Sequence, residues 1–143
     1  MIETVETSER AAVTRWGRAG ALYDLVASAA FLTPWTAAFA LGLIGDLHAA
    51  LGLPGAPPPP PNAMTLLFAT LFGTVVVLWS VVRWVRPEPV LIAADTVGRV
   101  LFSGWFTRAL WQGETPVLAV FLVLEVAWGA AQLRALLAGR RAG

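Results

Sequence analysis

Among the charged and strongly hydrogen-bonding side chains in the long apolar stretches of this chain, five could do chemistry: Asp24, Asp95, Arg99, Glu125 and Gln132. A charged side chain at the centre of a lone transmembrane helix costs about 2.5–3.5 kcal/mol on insertion scales, so such residues face a bundle interior and pair. Asp95 and Arg99 are four residues apart, which places them on one helical face. Arg99 and Glu125 lie within roughly 3 Å of the midplanes of their predicted helices. The sequence therefore predicts that Arg99 pairs with Glu125, with Asp95 or with both.

Acid–base chemistry is the reaction type that carboxylates in an apolar medium suit, because one carboxyl group can deliver a proton to an alkene or epoxide. The candidate catalytic residues are Glu125, Asp95 and Asp24. We expect Glu125 to be the proton donor, since it lies near the midplane beside Trp128. We expect Asp24, which lies nearer a helix end, to contact the head of a ligand.

The candidate ligand-binding residues share helical faces with these carboxylates. They are Arg99, Trp35, Trp128, Gln132 and Ser28. The chain contains one histidine, His48, and no cysteine. We therefore predict no metal site and no cofactor, and we expect His48 to be a surface residue.

The elements that must position these residues are apolar helices. Of the 143 residues, 57% are hydrophobic and 13% are charged, whereas soluble domains carry roughly 25% charged residues. This composition excludes a soluble globular enzyme, a disordered chain and a nucleic-acid-binding domain. Four apolar stretches each have the roughly 20 residues that a helix needs to cross the hydrocarbon core: 21–43, 63–85, 90–111 and 116–138. The predicted fold class is an all-α integral membrane protein, a four-transmembrane-helix bundle.

Proline-rich and turn segments separate these predicted helices. Residues 48–62 contain five consecutive prolines, which favour an extended spacer outside the membrane. Pro34 predicts a kink in the first span. The predicted domain organisation is a cytoplasmic N-terminal arm (1–20), the transmembrane bundle (21–138) and a cytoplasmic basic tail (139–143).

Arginines are distributed unequally between the two ends of the predicted bundle. Eight of them flank one end: Arg10, Arg15, Arg18, Arg83, Arg86, Arg134, Arg140 and Arg141. The proline-rich loop contains none, and Arg108 is the one arginine near that opposite end. The positive-inside rule then predicts a multi-pass protein of the bacterial inner membrane with both termini in the cytoplasm.

Several functions are compatible with a polar cluster inside such a bundle. The first is binding of a membrane lipid or another lipophilic or amphiphilic small molecule, by a monomer, a homo-oligomer or a subunit of a larger membrane complex. The second is a membrane isomerase or cyclase that uses acid–base catalysis on an isoprenoid- or sterol-like substrate. The third is a proton-coupled exporter that acts as a dimer. In a fourth, purely structural role, the ion pairs only hold the helices in register. No nucleic-acid partner is expected.

The charge distribution predicts the topology, which single cysteines can report because the chain has none of its own. We expect a membrane-impermeant maleimide, added to intact cells, to label Pro57→Cys in the proline-rich loop. We expect it not to label Pro87→Cys or Ala142→Cys until the membrane is permeabilised. Labelling of Pro87→Cys from outside would contradict the predicted orientation.

Overall fold

The structure, a computed structural model, describes the backbone of residues 2–141 and the side chains of residues 11–139. Within that part of the chain it is all-helical, which confirms the predicted fold class. The helices are α1 (Ile2–Ala29), α2 (Pro34–Ala50), α3 (Ala63–Val85), α4 (Pro89–Trp111) and α5 (Leu118–Arg141). The predicted basic tail continues α5 as far as Arg141, and residues 142–143 lie outside the described residues.

Three of these helices, α3, α4 and α5, are each long and apolar enough to cross a membrane. Large apolar side chains on their outer faces are exposed, as expected where lipid replaces water as the surrounding medium. Local signals in the sequence set their starts. Asn62 caps α3 by accepting a hydrogen bond from the Thr65 backbone N–H at 2.9 Å. A proline begins α4, where its missing N–H is tolerated.

The first predicted span, 21–43, is not one helix but two that meet at a bend of 94°. Proline has no N–H and disfavours helical geometry in the residue before it. Thr33, which precedes Pro34, accordingly has an extended backbone (φ −132°, ψ 151°) and caps α2 through its side chain. The chain thus ends one helix at Ala29 and starts another at Pro34, a sharper change than the predicted kink.

Residues 2–20, predicted as an arm outside the bundle, form the first two thirds of α1. Val13 of this segment is buried against Ile92 of α4 and Ala135 of α5. The charged residues of this segment led to the prediction of an arm. Its small and apolar residues Val13, Gly17 and Gly20 nevertheless recur three or four residues apart, which places them on one helical face. That face packs on the bundle.

α1 and α2 together cross the bundle from one end to the other. The contacts of Val13 lie near the 86–88 turn between α3 and α4, at what we call the basic end. The last turn of α2 reaches the opposite, loop end, where His48 Nδ1 lies 2.9 Å from Thr115 Oγ1. The pair therefore has the path of one broken span. Only together are the two helices long and apolar enough to cross a membrane.

His48 is buried, not a surface residue as predicted. It lies where the proline-rich loop meets the turn between α4 and α5, and the Ala56 N–H donates to the Gly113 carbonyl at 2.8 Å in the same region. The sequence does not predict the contact between His48 and Thr115, because 67 residues separate them along the chain.

Helix packing leaves two neighbouring helices apart. α1 packs against α3 and α5, α4 packs against α5, and α2 packs against α3. α3 and α4 are joined by residues 86–88 alone, yet their backbones do not pack closely along their lengths. They meet through long side chains such as Phe72 and Phe102, whose ring centroids are 5.8 Å apart. The space between them is the cavity described below.

Gly73 of α3 lets the break between α1 and α2 pack closely against α3. A Cβ at residue 73 would lie 2.6 Å from the Phe31 carbonyl oxygen and would also overlap Phe31 Cβ. Only glycine permits this approach, because the obstacle includes backbone.

We expect Gly73→Ala to destabilise the protein by about 1–3 kcal/mol, the usual cost of overpacking a close contact. The matched control is Gly104→Ala on α4, where a Cβ meets nothing within 4 Å. Equilibrium unfolding in mixed micelles measures both. Equal stability of the two variants would show that α1, α2 and α3 do not meet as described.

Candidate functional site

Five charged side chains from four helices form one network of ion pairs, which we call the ion-pair cluster: Asp24, Arg83, Asp95, Arg99 and Glu125. α1 contributes Asp24, α3 contributes Arg83, α4 contributes Asp95 and Arg99, and α5 contributes Glu125. Three carboxylates and two guanidinium groups leave the cluster with a formal charge of −1. The cluster lies toward the basic end of the bundle.

Arg99 is the centre of the cluster. Its Nη1 donates to Glu125 Oε2 at 3.1 Å and its Nε donates to Asp95 Oδ2 at 3.2 Å. These are the two contacts that the sequence predicted. Its Nη2 also donates to Asp24 Oδ2 at 2.7 Å. The three guanidinium nitrogens therefore donate to three carboxylates: Glu125 on α5, Asp24 on α1, and Asp95 one turn earlier on α4 itself.

Arg83 is the residue that the sequence interpretation missed, since it was counted among the arginines that flank the bundle. Its side chain is fully buried. Nη2 donates to Asp24 Oδ2 at 2.5 Å, and Nη1 lies 2.6 Å from Asp95 Oδ2 without the angles of a hydrogen bond. One signal was available: Arg83 lies inside the apolar stretch 63–85, four residues after Trp79 on the same helical face.

Asp95 is held by neutral donors as well as by arginines. Gln132 Nε2 donates to Asp95 Oδ2 at 2.8 Å, and Trp79 Nε1 donates to Asp95 Oδ1 at 3.2 Å. Gln132 is itself fully buried, and its Oε1 accepts from the Thr96 hydroxyl at 3.3 Å. Both oxygens of Asp95 are therefore satisfied, which is what a buried carboxylate requires.

A cavity of about 750 Å³ extends from the ion-pair cluster between α3 and α4 toward the loop end. Asp24, Asp95, Arg99 and Glu125 line its charged end. Its lining residues on α4 run from Ala94 to Ala109, about 22 Å at the helical rise per residue. Most of the larger side chains of its walls are aromatic: Tyr23, Phe31, Phe72, Trp79, Phe102, Trp105, Phe106 and Phe121. The site thus combines a charged end with a long apolar channel.

The predicted site residues divide into three groups. All three predicted carboxylates, Arg99 and Ser28 line the cavity. Gln132 lies behind Asp95, which it holds in place. Trp35 and Trp128 do not line it.

Trp35 is 80% exposed, because the bend turns α2 away from the face that continues α1. Trp128 instead stacks on Tyr23, with ring centroids 5.7 Å apart. Trp79 and Trp105 contribute the tryptophan rings of the cavity wall. Among the described residues, no group of three histidine or acidic side chains is arranged to hold a metal ion.

The chain matches no protein-family model, no curated protein and no solved structure.

We expect Arg83→Met to destabilise the protein by about 3–5 kcal/mol, since it keeps the volume but leaves Asp24 and Asp95 with less charge compensation in a buried site. Arg108→Met is the matched control, because Arg108 is exposed on α4. Equilibrium unfolding in mixed micelles measures both variants. A loss no larger than that of the control would show that Arg83 is not part of the cluster.

Proposed function

We propose that this protein is a small integral membrane protein that binds a lipophilic or amphiphilic ligand in the cavity between α3 and α4. The observation that carries the proposal is the joining of a charged end to an apolar channel in a single cavity. The volume of about 750 Å³ lies within the range of roughly 300–1,000 Å³ that small-molecule pockets have.

The dimensions and chemistry of the cavity support an elongated ligand. Its length along α4, about 22 Å, is some three quarters of the roughly 30 Å hydrocarbon core. Small-molecule sites are mostly apolar, with a few polar groups that fix orientation. In this cavity those groups are Asp24, Arg99 and Glu125 at one end, so the ligand head lies there and its chain extends toward the loop end.

Entry from the lipid is consistent with the separation of α3 and α4. Because the two helices meet through side chains such as Phe72 and Phe102 and not through close backbone packing, a chain passes between them without displacing a helix. The ligand therefore comes from the membrane and does not have to cross water.

The same proposal assigns the basic end to the cytoplasmic side of a bacterial inner membrane. Arg18 and Arg86 lie at that end, and the Arg18 Nε donates to the Trp84 carbonyl at 3.2 Å. By the positive-inside rule, the ligand head is then nearer the cytoplasmic leaflet.

Acid–base catalysis on an isoprenoid- or sterol-like ligand is the second candidate. Glu125 favours it, since this carboxyl group lines the cavity and only its Oε2 is bonded to Arg99. The rings of Trp79 and Trp105, which also line the cavity, replace the expected Trp128 as surfaces for a developing cation.

Filling the cavity tests the proposal. Gly98 lines the cavity and a Cβ there meets nothing within 4 Å, so we expect Gly98→Leu to occupy part of the cavity. The probes are long-chain amphiphiles of one length with a photoreactive diazirine in the chain and an ammonium, hydroxyl or sulfate head. We expect at least one probe to crosslink to cavity residues of α3 and α4, and we expect Gly98→Leu to reduce that crosslinking at least tenfold.

Gly104→Leu is the control, because Gly104 lies on the same helix, also has open space and does not line the cavity. It leaves the crosslinking unchanged. Crosslinks spread over the lipid-facing surface and insensitive to Gly98→Leu would contradict ligand binding in the cavity. A probe of the same length that also carries a double bond in its chain would favour the catalytic candidate if it were recovered with that bond shifted or with a new ring.

A further inference from the structure

The arginine at the charged end of the cavity is already surrounded by carboxylates. Arg99 lines the cavity, but its Nε, Nη1 and Nη2 each donate to a carboxylate already. Arg83 is fully buried and does not line the cavity. A phosphate, sulfate or carboxylate head could reach Arg99 only among the three carboxylates that surround it, and their negative charge would repel the head.

Carboxylate oxygens, by contrast, remain available. Glu125 is 8% exposed and lines the cavity, and its Oε1 has no hydrogen-bond partner among the described residues. Asp24 accepts both arginines through Oδ2, which leaves its Oδ1 without a partner in the same part of the chain. The head site thus offers two hydrogen-bond acceptors that carry negative charge.

The charge of the cluster agrees with this donor and acceptor count. Three carboxylates face two arginines, and an uncompensated charge in a low-dielectric interior is costly. A cation placed beside Glu125 and Asp24 neutralises the excess and satisfies the open oxygens in one step.

We propose that the ligand is an amphiphile with a protonated amine as its head, which donates to Glu125 Oε1 and Asp24 Oδ1 while its chain occupies the aromatic channel. This inference rests on the proposed ligand-binding function and adds the chemical class of the head. The proposal does not invoke a cation–π contact between the amine and Tyr23 or Trp79. Arg99 already lies over the Tyr23 ring, and Arg83 already lies over the Trp79 ring.

Competition among heads of one chain length tests the inference in the wild-type protein. Unlabelled alkyl ammonium, alkyl trimethylammonium, alkyl alcohol and alkyl sulfate compete against the photoreactive probe that crosslinks best. We expect the ammonium to compete at least tenfold more strongly than the alcohol and the sulfate. The trimethylammonium, which keeps the charge but cannot donate, falls between the ammonium and the alcohol.

Glu125→Gln removes the charge and keeps the shape, so we expect it to abolish the preference for ammonium over alcohol. Glu114→Gln is the control, since Glu114 is exposed at the loop end and does not line the cavity. It retains the preference. Asp24→Asn, which we expect to weaken the preference several-fold, provides the second variant if Glu125→Gln unfolds.

The outcomes separate the two proposals. Equal competition by alcohol and ammonium overturns the inferred head and leaves ligand binding in the cavity standing. Stronger competition by sulfate also overturns the inferred head. Absence of any Gly98→Leu-sensitive crosslink, whatever the head, overturns the proposed function itself.

Discussion

The attraction between two buried guanidinium groups and three carboxylates is the interaction on which the rest of this bundle depends. In an apolar medium none of these groups is tolerated alone, so each fixes the helix that carries it against the helix of its partner. Arg83 and Arg99 both hold Asp24, which ties α1 to α3 and α4 at once. Glu125 adds α5 through Arg99. Only α2 is held by other means, which are its packing on α3 and the His48 contact at the loop end.

The same interaction explains why a cavity exists. Ion pairs join the helices near the basic end, and the short 86–88 turn joins α3 to α4 at that end as well. Between the cluster and the loop end, no ion pair joins α3 to α4 among the described residues. In lipid, no hydrophobic driving force closes the space between them. The gap is filled in part by aromatic rings and in part left open beside Gly98. The charged end and the channel are therefore two results of one arrangement.

Much of this architecture was readable from local patterns. The second predicted span, 63–85, coincides with α3, because an asparagine cap and an uninterrupted apolar run mark it clearly. The pairing of Arg99 with Glu125 followed from matched depth in two helices. What failed were inferences that needed tertiary information. The sequence predicts a kink at Pro34, but the packing of the break against α3 depends on Gly73 of another helix admitting the Phe31 backbone. Arg83 resembles any arginine at a helix end until Asp24, 59 residues away in sequence, is placed beside it.

The broken first span has a consequence for how the chain enters its membrane. Neither α1 nor α2 is by itself apolar and long enough to span, and only the bent pair qualifies. Asp24 lies in this pair, and its partners Arg83 and Arg99 follow 59 and 75 residues later. At a synthesis rate of about 5–20 residues per second, those partners emerge roughly 3–15 s after Asp24. Asp24 therefore lacks both of its ion-pair partners until α3 and α4 have been synthesised.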